Sequence, residues 1–181
     1  MLPATTPIST SLADQLTDFA AYNLWANHRV IEWLQSKPES LFDVPVASSF
    51  KGIRATLLHI RDVERLWLGY LQPANLPASL HPDALLSHSE VMEQVLEVST
   101  CFWQHISTMT DEALLTACCC DIPYVGVHLI NPADILQHAM NHSTYHRGQL
   151  ITIGHHLGFT DAPMSDYMYY QLLVKRQRMS A

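Results

Sequence analysis

Three histidines, His138, His142 and His146, recur at intervals of four within NPADILQHAMNHSTYHRGQLITIGHHLG, residues 131–158. A helix advances 3.6 residues per turn, so side chains four apart climb one face and drift slowly around it. Adjacent members such as His142 and His146 can aim two imidazoles at one point, which is what binding a metal ion requires. Spacing alone leaves two readings open. The chain has 11 histidines, a histidine on an apolar face is commonly a hydrogen-bonded core residue, and the pair lacks the Glu of the HExxH metalloprotease motif. A third ligand from another segment decides between them.

The elements that must position these rings follow from local signals. Asn131 is an N-cap, Pro132 occupies the first helical position, Asp134 lies in the first turn, and Gly158 is a stop. Ile135, Leu136, Ala139, Met140, Leu150 and Ile153 give this helix an apolar face for a bundle. Upstream, Ser11 with Asp14 forms a capping box that opens a first helix to about Ser36. Its apolar stripe is broken by Asn23 and Asn27, and buried amides need partners. Those partners are either hydrogen bonds between helices or groups in a pocket. After a proline-containing loop, residues 37–47, Ser48 or Ser49 caps a second helix predicted over about Phe50–Tyr70. His59 sits on the edge of its apolar stripe, beside Ile60, where a third ligand could approach the later pair. Arg61, Asp62, Glu64 and Arg65 read as a solvated face with weak local ion pairs.

Residues 72–86, with three prolines and His81, read as a surface connection. Ser87 with Glu90 is a second capping box, and the third helix is expected to end near Thr110, with a turn at Asp111–Leu115. Leu115–Ile130 has no helical period and resembles a short hairpin between helices three and four. Its Cys118, Cys119 and Cys120 lack CxxC spacing and read as reduced packing residues rather than reactive thiols. A short terminal helix is expected within Ser165–Arg178.

Composition narrows the partners. The chain of 181 residues suits one domain, residues 1–181, with 48% hydrophobic and 15% charged residues. Net charge is -7 with only three lysines, and KRQR is the single basic cluster. Neutralising phosphates needs clustered Lys and Arg, so nucleic acid and anionic membrane surfaces are poor partners. No apolar run approaches a membrane span of ~20 residues, and MLPATTPIST lacks the pattern of a signal peptide. A cytoplasmic protein acting on a small molecule is the expectation.

Three blocks occur in an informative order: YNLWAN (22–27), LLHIRDVERLWL (57–68) and NHSTYHRGQL (141–150), with PMSDYMYY as a looser match near the end. In these the chain resembles the DinB/YfiT-like family. The resemblance implies an all-α four-helix bundle with up-down-down-up topology, commonly a homodimer. It further implies a divalent metal ion held by His59, His142 and His146, with zinc or nickel first and iron as the alternative. His138 lies about 80° of helix rotation from His146, so it reads as a residue lining the pocket rather than a ligand.

Three neutral imidazoles leave the ion's charge uncompensated, and a three-ligand set with open positions is the catalytic pattern for zinc. Three functions follow. The resemblance extends to enzymes that use a low-molecular-weight thiol, so transfer of such a thiol to a small electrophile is the leading expectation. Hydrolysis of a small substrate is the second, and it would want a nearby acid as general base. A non-catalytic metal-binding or stress-response role is the third. Arg147 is a candidate for a thiol's carboxylates, or equally for a structural or inter-subunit ion pair.

Overall fold

The computed structural model describes residues 10–72 and 85–175. His81, the first nine residues and the end of the basic KRQR cluster lie outside the described residues. Four long helices carry the fold: α1 (Leu12–Gln35), α2 (Ile53–Leu71), α3 (His88–Ile106) and α5 (Pro132–His156). A short α4 (Asp111–Leu115) and a hairpin of β1 (Cys118–Ile122) and β2 (Gly126–Ile130) separate α3 from α5. The chain is therefore an all-α bundle with one two-stranded insertion, as its pattern suggests.

Helix direction can be read from contacts between named pairs. Along α1 and α5, Asn23 meets Arg147 while Trp33 meets Gly154, so the two run parallel. Along α2 and α3, Arg61 meets Gln94 and Glu64 meets Ser99, again parallel. Between α2 and α5 the order reverses: His59 lies against His146 and Trp67 against His138. The topology is up-down-down-up. Packing pairs α1 with α3 and α5, and α2 with α3 and α5, which places α1 and α2 on a diagonal.

Both capping boxes form as read: Ser11 Oγ accepts from the Asp14 amide, and Ser87 Oγ from the Glu90 amide. Asn131 caps α5 through Asp134, with Pro132 at its start. Its far end closes on Gly158, whose φ of 89° suits glycine, while Phe159 donates back to the Gly154 carbonyl. Two boundaries differ from expectation. Helix α2 begins three residues late, at Ile53, and its N-cap is Gly52 at φ 106°, not Ser48 or Ser49. Helix α3 stops at Ile106, because Ser107 turns its own hydroxyl onto the Gln104 carbonyl and leaves Thr110 free to cap α4.

Two apolar clusters fill the bundle. One gathers Ile31, Leu34, Ile53, Leu57, Val95 and Leu150, and the other Leu68, Phe102, Ile106, Leu136 and Met140. Between them lies polar material that the sequence places outside. Glu64 is 0% and Arg61 3% exposed, so the expectation of a solvated charged face on α2 is wrong for both. Arg61 turns its guanidinium to Gln94 and Asp62, while Asp62 is exposed and Arg65 half-buried. The C-terminal segment caps with Asp166 and makes a short helix, α6 (Tyr167–Tyr169), followed by a wider π-type turn, Tyr170–Val174. Its tyrosines pack on Tyr22 and Trp25 of α1.

Candidate metal centre

Because α2 and α5 run antiparallel in contact, His59 on the edge of α2 faces the His142–His146 step of α5. The three Nε2 atoms converge: His59 to His142 is 2.9 Å and His142 to His146 is 3.1 Å. Such separations suit nitrogens held ~2.0–2.1 Å from one ion at roughly 90–100° to each other. Among the described residues this trio is the group of ligand atoms close enough to hold a metal ion. His138 stands beside the trio, its ring 6.0 Å from that of His142 and edge-on to Trp67, at 4.9 Å.

Hydrogen bonding between the rings does not account for the arrangement. His146 Nδ1 lies 2.8 Å from Gln149 Oε1, so Nδ1 carries the proton and Nε2 presents a lone pair to the centre. His142 Nδ1 is buried with no partner. A lone proton shared among three Nε2 atoms satisfies one neighbour at a time, whereas a cation satisfies all three. The donor set fits a divalent ion.

The electrostatics favour the neutral form of His142 and His59. Burial pushes His142 down to about 4, with added repulsion from His146, His59 and His138. His59 is lowered as well, first by burial and then by His146, with Asp62 opposing. Neutral imidazole is the ligating form.

Two contacts at the site are not apparent from the expected helix boundaries. Phe50, read as the first residue of helix two, belongs to the loop before it. It stacks on His59 at 4.0 Å between centroids and reaches His146 at 5.5 Å. Gln149 holds His146 and donates to Ser49 Oγ at 2.6 Å, which ties the same loop to α5. Its position three residues after His146, one turn on, is the signal that could have found it.

Arg147 does not face this site. It is 3% exposed and donates to Asn23 Oδ1, Asn27 Oδ1 and Thr144 Oγ1, beneath the Tyr22 ring. It offers nothing to the carboxylates of a thiol. Glu64 turns inward but accepts from Asn23, Asn27, Ser143 and Ser99, so both carboxylate oxygens are committed. Asn23 and Asn27 are thus links between helices, the first of the two roles left open for them.

An up-down-down-up bundle with three histidines gathered between its second and fourth long helices defines a class that sequence comparison identifies. The DinB family model matches residues 10–178, and the chain belongs to the DinB family. It is 24% identical over 172 residues to Protein DinB of Bacillus subtilis (strain 168), across 90% of this chain and 99% of that protein. Among the described residues no helix is long and apolar enough to cross a membrane.

Proposed function

We propose that the protein is a metal-dependent enzyme, a cytoplasmic homodimer, that transfers a low-molecular-weight thiol to a small electrophile. His59, His142 and His146 are its metal ligands. The observation that carries this reading is the convergence of three ring nitrogens with no carboxylate among them. A divalent ion held by three imidazoles acidifies a thiol or water that joins it. The chain's own residues do the rest. Gln149 fixes the His146 tautomer, Phe50 covers one side of the trio, and Trp67 with His138 lines the other. Hydrolysis is less well served, because the inward-facing Glu64 is saturated by four donors and cannot act as a free base.

The test has a binding arm and an activity arm. Elemental analysis should find one divalent ion per chain in wild type and in His138→Ala, and none in His59→Ala, His142→Ala or His146→Ala. A panel of bacterial thiols with a chromogenic electrophile should show thiol-dependent turnover that vanishes in metal-free protein and in His142→Ala. Stoichiometric metal surviving in all three ligand variants would overturn the ligand assignment. Ester cleavage without thiol would replace transfer by hydrolysis.

A further inference from the structure

The three consecutive cysteines are divided by strand geometry. Successive side chains of β1 point to opposite faces, so Cys118 and Cys120 share one face and Cys119 takes the other. Cys119 is exposed, Cys118 half-buried and Cys120 fully buried at 0%. The inward pair is close: Cys118 Sγ lies 3.8 Å from Cys120 Sγ, and both are free thiols. Pairing with β2, in the register Cys118↔Ile130 and Cys120↔His128, holds the two backbones in place. Tyr70 of α2 donates to the Asp121 carbonyl and fastens the hairpin to the bundle.

We propose that Cys118 and Cys120 form a second metal site, selective for a soft, thiophilic ion of the cuprous class. Two sulfurs 3.8 Å apart are close enough for one ion to bond to both, at roughly 2.3 Å from each. A disulfide suits them less. Residues two apart in a strand have Cα atoms about 6.4–6.8 Å apart, at the upper limit for S–S bonding. Soft thiolates favour cuprous ion, whereas imidazoles serve harder divalent ions, so the two sites differ in chemistry. Access exists. It runs through Cys118, which lines a cavity of about 480 Å³ together with Tyr70, Met109, Glu112 and Thr116, while Cys120 lies behind it at 0% exposure. Binding is balanced as one cuprous ion displacing two thiol protons, which pass to buffer, leaving a dithiolate complex of net charge minus one.

Cuprous ion supplied as its bicinchoninate complex to the full-length protein provides the test. One ion per chain should be withdrawn from the chelator, with a thiolate-to-copper charge-transfer band in the ultraviolet. In wild type, copper should slow iodoacetamide labelling of Cys118 roughly tenfold or more and leave Cys119 unchanged. Cys118→Ser should lose affinity by a similar factor, while Cys119→Ser and His142→Ala retain it. Equal protection of Cys119, no protection of Cys118, or copper binding that disappears in His142→Ala would overturn the proposal. The labelling arm needs no variant, so the outcome does not depend on how a core substitution folds.

Discussion

His146 shows how one residue's chemistry is set by another. Its Nδ1 proton is held by Gln149 Oε1 at 2.8 Å, which fixes Nε2 as the ligating atom and aims the ring. Gln149→Ala should therefore leave the fold intact and weaken metal affinity by about 10–100-fold, measured by competition with a chelator. Unchanged affinity would mean that packing alone orients His146. The ring pKa values set a second expectation. The unfolded chain takes up protons on these rings below about pH 6.5, but folded His142 resists until about 4. The native state then binds fewer protons than the unfolded one, so the stability of metal-free protein should fall as pH drops from 6.5 towards 4. A series of Tm against pH checks this, and His142→Ala should give a shallower slope across that window. Parallel slopes would remove His142 as the cause.

At the scale of elements, the loop before α2 decides whether the site is covered. It turns at Gly52, where φ is 106° and an added Cβ would come within 2.8 Å of the Val44 carbonyl oxygen. Gly52→Ala should cost about 1–3 kcal/mol and lower metal affinity together with stability, because Ser49 and Phe50 lie just before it. Gly158→Ala is the matched control: φ is 89° but a Cβ would meet nothing within 4 Å. It should destabilise by about 1 kcal/mol through backbone strain alone, with metal affinity unchanged. Chelator competition on both variants separates the two effects. The same loop marks the limit of what the sequence makes legible. Helices α1, α3 and α5 announce themselves through side-chain caps, and His59, His142 and His146 lie on helices whose spacing can be counted. The start of α2 has no side-chain cap, only a glycine conformation that sequence does not display. Phe50 and Ser49 were hidden with it. The burial of Glu64 and Arg61 is illegible for a different reason: charged residues are rarely buried without partners, and apart from Asp62 beside Arg61 their partners come from α1, α3 and α5, far away in sequence.

Across the whole molecule, those partners join the four long helices through one buried polar cluster. Glu64 of α2 and Arg147 of α5 are the charges at its ends, 0% and 3% exposed. Asn23 and Asn27 of α1 bridge them, each giving an amide proton to Glu64 Oε1 and accepting one from Arg147 Nη1. Ser99 of α3 and Ser143 of α5 complete the carboxylate's shell. Burial pulls the Arg147 pKa below its ordinary value, while Tyr22 and Glu64 oppose that pull. Removing one end strands the other as an uncompensated buried charge, so Arg147→Met or Glu64→Gln should each cost about 3–5 kcal/mol. That is a large fraction of a typical stability of about 5–15 kcal/mol. Removing both ends strands neither charge. The double variant should be less destabilised than the sum of the two by about 1–3 kcal/mol. Urea unfolding of the four proteins in the cycle measures that difference. Additivity within about 0.5 kcal/mol would mean that the asparagines solvate each charge separately. Coupling of the expected size would establish that α1 transmits between the two charged helices. Since Ser143 adjoins His142 on α5, it would also tie the helix bearing two of the three histidines to the core of the bundle.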